Sequence, residues 1–262
     1  MGDLLLIEWM KIRKYRTFWI ISGLFFVLMP FFFYLFKAGT VSVTMGSIIL
    51  NKSYSFPGLW TVLCYTASWF VYLLGCIVII LVTNEYVFKT NRQNVIDGWS
   101  KLDFLHAKIL MVLVLSLVAT LWLWLYGLIF GSIQGGGTSP FDSNEKLLYF
   151  FIYTFNHLFL ALLLGFLLKR SGLAIGLYFF YITILEFIIK SIINHRIHEG
   201  FGNLLPLESS DYLIPAPLSA NFNKIINAPE NYGNGTFVIA SLIYIVIYYI
   251  VLRIYLLKVD WK

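Results

Sequence analysis

The sequence has 262 residues, of which 60% are hydrophobic and 12% charged, with a formal net charge of +6. A mean hydropathy of +0.81 excludes an ordinary water-soluble domain, in which roughly a quarter of residues are charged. The basic surplus needs no nucleic-acid partner, because membrane orientation and attraction to anionic lipid head groups account for it.

Residues 3–17, DLLLIEWMKIRKYRT, read as a helix. Leu5, Trp9 and Ile12 fall on one face at i, i+4 and i+7, so the helix can lie in the interface plane (residues 1–17) with Arg16 snorkelling from the apolar side; alternatively it is a basic start to the first span. Spanning the hydrocarbon takes about 20 apolar residues in a helix. Six runs qualify: 18–36, 60–83, 109–130, 147–168, 173–189 and 237–257. Only the last two hold a formal charge, Glu186 and Arg253, each toward an end of its run. The strict alternation of barrel strands is absent. The expectation is an all-α integral membrane protein with six transmembrane helices, its first span an uncleaved anchor.

Orientation follows from the basic residues. With the amino terminus cytoplasmic, the inner segments hold Lys11, Arg13, Lys14, Arg16, Lys89, Arg92, Lys101, Lys108, Lys169, Arg170, Arg253, Lys258 and Lys262. The bias favours both termini inside. The long polar segment 84–108 between the second and third runs then faces the cytoplasm. It has its own punctuation: Glu85 and Lys89 form an i, i+4 pair on a helix continuing from run two, Gly98 suits a helix end, and Ser100 with Asp103 fits a capping box opening run three.

Toward the outside, 131–146 contains GSIQGGGTSP, a flexible connection with no Gly-Lys-Ser/Thr phosphate signature. The outer segment 190–236 is rich in apolar residues and prolines, and is expected to pack on the bundle or dip into the interface as short helices. Cys64 and Cys76, twelve apart on one helix, are too distant along its axis to bridge. His195, His198 and Glu199 are too sparse for a convincing metal site, so no metal is expected. Asn156 and His157 lie near the middle of the fourth run, where polar groups must pair between helices or line a wet pathway. Glu186 and Lys190 are spaced for an interfacial ion pair.

The layout of interfacial helix, six spans, folded segment after span two and long outer segment before span six resembles the ABC-2 type transporter permeases. The segment NEYVFKTNRQNVIDGWSKLDFLHAKIL strengthens it: Glu85, Arg92, Gly98, Ser100, Lys101 and Lys108 stand where the family has an opening Glu, a basic residue, a Gly and small residue beside a base, and a closing Lys. Lys101 stands where Arg is frequent. The resemblance implies a single transmembrane domain, 1–262, with a cytoplasmic coupling helix between spans two and three. It further implies the permease subunit of a bacterial inner-membrane transporter, most often an exporter, paired with an identical or related permease in contact with membrane lipids. A separate ATP-binding subunit would drive it, and the chain carries no Walker A motif, catalytic centre or cofactor site of its own. Coupling is implied for Glu85, Arg92, Gln93, Asp97, Gly98 and Lys101, whose charges would set register with the partner; Asn156 and His157 are the pathway candidates. The rival readings are an ion- or proton-coupled transporter or channel, which usually carries mid-membrane ionisable groups, and a non-transporting scaffold or immunity-type membrane protein.

Overall fold

The computed structural model describes residues 2–37, 54–90, 93, 98–134, 139–217 and 232–259. The described residues are helical, without strands. A short helix α1 (Gly2–Arg13) is followed after Lys14 and Tyr15 by α2 (Arg16–Lys37), α3 (Gly58–Val87), α4 (Lys101–Gln134) and α5 (Glu145–Leu168). A sixth long helix, α6, runs over Ser171–Arg196 with a π turn at Tyr181–Leu185. After a 3₁₀ turn at Phe201–Leu204 and a one-turn helix α7 (Glu208–Asp211), the chain closes with α8 (Asn234–Lys258). Six of these, α2 to α6 and α8, are long and apolar enough to cross a membrane, and the protein is an all-α membrane protein.

The six helices outrun the apolar runs because their ends carry polar residues that keep the backbone bonded where hydrocarbon gives way to head groups. The exception to simple extension is α3. Its helix does not continue to Gly98: the N–H of Phe88 closes on the Asn84 carbonyl at 2.8 Å, Lys89 takes a left-handed φ of 57°, and helical backbone resumes at Thr90. The expected Glu85–Lys89 pair does not form, because Glu85 is drawn to other ammonium groups. Gly98 does adopt the left-handed φ, 96°.

α5 is the centre of the bundle, packed against α3, α4, α6 and α8. A helix buried all round must be apolar all round, and Phe150, Leu158, Phe159, Leu162 and Phe166 are fully enclosed. By contrast α2, α6 and α8 bury only a minor part of their spans within the chain, as helices on a lipid-facing rim do. α3 and α5 approach closely at Gly165, where an added Cβ would lie 3.3 Å from the Val82 Cβ and 3.6 Å from the Ile79 Cα. Small residues let membrane helices approach closely where no hydrophobic force drives them together.

The segment after α6 folds back on the bundle, as its apolar content leads one to expect. Residues 201–217 form a hairpin-like cap over α5, α6 and α8, with Leu207, Leu213 and Ile214 buried. The expected Glu186–Lys190 pair is replaced: Glu186 Oε1 accepts the backbone N–H groups of Leu207 (2.7 Å) and Glu208 (3.2 Å), while Lys190 pairs with Glu208 at 2.7 Å. Buried amides without water need an acceptor, and Glu186 supplies it at the start of α7.

Replacing Gly165 by Leu is expected to wedge α3 from α5 and cost about 1–3 kcal/mol, seen as a lower thermal midpoint in detergent, whereas Gly165→Ala, whose Cβ meets Val82 at 3.3 Å, lowers it less.

Candidate functional site

The segment predicted to meet a partner springs from two helix ends, α3 at Val87 and α4 at Lys101, and the residues at those ends are tied together by charge. Lys108, on the first turns of α4, is 1% exposed, and its Nζ lies 2.6 Å from Glu8 Oε2 of α1. It also donates to Glu85 Oε1 of α3. Lys11 completes the cluster from the half-open side, with its Nζ 3.2 Å from both Glu8 Oε1 and Glu85 Oε1. Two carboxylates meet two ammonium groups, so the buried site is neutral as a whole. The Lys108 ammonium also stands 5.5 Å from the Phe104 ring centre.

Such a cluster holds three elements at once. A buried charge loses hydration worth several kcal/mol, and its geometry must recover that from its partners. Removing any one partner therefore leaves the others exposed to the full penalty. Burial alone would raise the Glu8 carboxyl, but Lys108 and Lys11 outweigh it and hold the group below its ordinary range. A depressed carboxyl stabilises the fold above its unfolded value and ceases to do so as pH falls through the folded value. The α1 seat therefore persists at neutral pH and weakens only below about pH 4.

The face that α1 turns to the bundle differs from the expected apolar stripe. Ile12 is buried, but Trp9 is half exposed and the buried companion of Ile12 is Glu8; the Leu5 side chain lies outside the described residues. Arg16 opens α2 beyond the break and is exposed, so it does not sit on the α1 stripe. The break itself is bonded across the bundle: Asn84 Nδ2 donates to the Tyr15 hydroxyl at 2.9 Å.

The predicted coupling residues are distributed as follows. Glu85 is buried in the ion cluster. Gln93 and Gly98 are exposed, and an added Cβ at Gly98 would meet nothing within 4 Å, so the glycine is needed for its backbone angle and not for space. Lys101 donates to the Val259 carbonyl at 2.7 Å, joining the start of α4 to the end of α8. Arg92 and Asp97 lie outside the described residues. The capping box forms as spaced: the Ser100 N–H and hydroxyl donate to Asp103 Oδ2 at 3.0 and 2.6 Å, and the Asp103 N–H returns to Ser100 Oγ at 3.1 Å. Glu8 and Lys11 were missed as partners of this segment. Their signal was an acid buried among apolar neighbours three residues before a base, which is weak until a second acid and base are seen at the neighbouring helix ends.

The pathway candidates are also enclosed. Asn156 and His157 are fully buried in α5. Asn156 Nδ2 donates to the Pro206 carbonyl at 2.7 Å and to Ser210 Oγ at 3.2 Å, so the cap lies directly over it. His157 Nδ1 is 3.0 Å from the Tyr153 carbonyl. His195 and Glu199 line an open surface depression with Lys190 and Asn194, and no group of three metal-ligating side chains occurs among the described residues.

Lys108→Met is expected to strand Glu8 and Glu85 and cost about 3–5 kcal/mol, read as a fall in thermal midpoint of the purified protein. Adding Glu8→Gln and Glu85→Gln to that variant removes the stranded charges, and most of the lost stability is expected to return.

A family model described as "ABC-2 family transporter protein" matches residues 4–185. No curated protein matches the chain. The matched stretch runs from α1 through α5 and into α6, taking in the ion cluster and the whole of 84–108. With six apolar spans around it, the chain belongs to the ABC-2 family of transporter permeases, as a transmembrane subunit of an ABC transporter.

Proposed function

We propose that the chain is the permease subunit of an exporter, moved by a separate ATP-binding subunit that grips residues 91–101 on the cytoplasmic side of a bacterial inner membrane. The observation that carries this reading is the Lys108 cluster. A segment that receives a push must deliver it to helices and not dissipate it in its own roots. Here the two roots, Glu85 on α3 and Lys108 on α4, are joined to each other and to Glu8 of α1. Displacing the segment thus displaces three helices together, while Lys101 extends the linkage to the end of α8. Glu85 and Lys101 serve in this reading as anchors of the coupling unit, leaving Arg92, Gln93, Asp97 and Gly98 as its contact region.

ATP-driven closure of the partner subunits shifts the bundle between inward-open and outward-open populations. Support for a second permease subunit, identical or related, comes from α2, α6 and α8, whose apolar surfaces are left largely uncovered by the chain itself; lipid covers the remainder. Both termini are cytoplasmic on the basic-residue bias. Asn156 and His157, closed off by the cap, mark the outer end of the substrate pathway. Export is favoured by the layout's resemblance to exporting permeases and by the lack of a recognisable docking element for an external binding protein.

Arg92→Ala combined with Asp97→Ala is expected to abolish co-purification of the ATPase, or to leave ATP hydrolysis uncoupled from transport, without loss of membrane insertion. Normal ATPase capture and normal transport by the double variant would exclude 91–101 as the coupling surface.

A further inference from the structure

The cap formed by 201–217 is held on the bundle by polar contacts that each pair a donor with an acceptor, with one exception. Asn156 donates to Pro206 and Ser210, Glu186 accepts two backbone N–H groups, Lys190 meets Glu208, and Ser209 Oγ lies 3.1 Å from Ser241 Oγ of α8. The exception is His157. The Tyr153 carbonyl can only accept, so the hydrogen of a neutral imidazole sits on Nδ1. That leaves Nε2 as a bare lone pair, and it faces Asp211 Oδ1 of the cap at 3.5 Å. Both atoms are shielded, and neither makes a hydrogen bond to any other described group.

Two acceptors facing each other out of water repel. Among the described residues no third metal-ligating side chain stands beside the pair to complete a metal site. A hydrogen held between the two atoms removes the repulsion. We propose that His157 and Asp211 together hold a single proton, and that this shared proton latches the cap onto α5, so that the far end of the bundle is closed with the proton bound and loosens when it leaves. The balance is simple: one proton is taken up, either as imidazolium N–H donating to carboxylate or as carboxyl O–H donating to imidazole, and no other bond is made or broken. The titration belongs to the pair and to neither residue alone.

The charges around the cap are mostly negative. From α3, the Tyr72 ring lies 5.8 Å from the imidazole, and the free cysteine Cys76 follows one turn on. From α5, the Tyr153 ring covers the imidazole at 4.1 Å, and its hydroxyl is taken up by the Ser68 carbonyl and the Tyr72 hydroxyl. From α6, the Tyr178 hydroxyl donates to the His157 carbonyl, not to the ring. The charged groups at the cap are Glu186 and Lys190 of α6 with Glu208 and Asp211 of α7, and the phenols Tyr244 and Tyr248 of α8 add no charge. Three carboxylates thus share one ammonium. Removing Oδ1 from water beside Glu208 and Glu186 pushes the Asp211 carboxyl well above its usual range, with Lys190 opposing. The sign follows: a raised carboxyl makes the seated cap bind its proton more tightly than the released one, so seating is complete at low pH and is lost as pH rises through the raised value. Part of the Asp211 side chain remains exposed, giving the proton a way in from the far end.

The test uses the full chain in liposomes, with Cys64→Ala and Cys76→Ala, and nitroxide labels on Phe201→Cys of the cap and Ile133→Cys at the far end of α4, both exposed positions. Nitroxide distances are measured by pulsed spin resonance from about pH 5 to about pH 9, which brackets an ordinary histidine. The expected result is one short distance at acid pH and a second, longer population that grows along a one-proton curve. Asp211→Asn and His157→Gln each put an N–H where the proton was, and each is expected to hold the short distance at every pH. A distance distribution that ignores pH in the parent chain overturns the proposal. So does an Asp211→Asn or His157→Gln chain that titrates as the parent does; if one variant fails to insert, the other decides. No ATPase or transport is needed, so this outcome stands apart from that of the coupling test.

Discussion

One ammonium group, that of Lys108, is enclosed by protein at the foot of the bundle, and its need for anionic partners organises that whole end. A lysine deprived of water cannot remain charged beside apolar side chains. The chain therefore brings Glu8 from its first helix and Glu85 from its third to the same point. Those two acids in turn need more positive charge than one lysine supplies, and Lys11 provides it from the α1 side. Because each member would be costly without the others, α1, α3 and α4 meet at one fixed place. The polar segment between α3 and α4 leaves from that place and returns to it.

The opposite end is built on a different principle. There the cap is held by hydrogen bonds to groups already inside the membrane helices: Asn156 reads the Pro206 carbonyl, and Glu186 reads the amides that open α7. These bonds are individually modest, but each closes a polar group that would otherwise stand unpaired among apolar neighbours. The cap also rests on the Lys190–Glu208 ion pair and on the Glu186 carboxylate, whereas the links at the other foot are ionic throughout. The two ends of the bundle thus differ in how far their links depend on charge.

Much of this was legible in the chain. Six apolar runs, the capping box at Ser100 and the left-handed Gly98 are local signals, set by residues within a few positions of one another, and the structure carries them as spaced. The helix end at Val87 and the fate of Glu85 were not legible, because a favourable i, i+4 pair with Lys89 was the best partner visible in sequence. A fully buried lysine 23 residues away wins instead. Glu186 illustrates the same failure at the far end: its spacing to Lys190 points to a pair on one helix, while two unpaired amides in the cap make the stronger demand. In both cases a long-range group with no solvent alternative outcompetes a neighbour that water can satisfy.

The π turn at Tyr181–Leu185 gives α6 two faces that a regular helix could not present. An extra residue in one turn delays the helix by about 100° of rotation. Before it, Tyr178 points into the bundle toward the His157 carbonyl; after it, Glu186 points to the start of α7. Deleting a single residue within the bulge would restore even winding and swing the carboxylate off its amides without altering one side chain near the cap. The widened turn is thus a phase adjuster, setting which way the outer half of the helix looks.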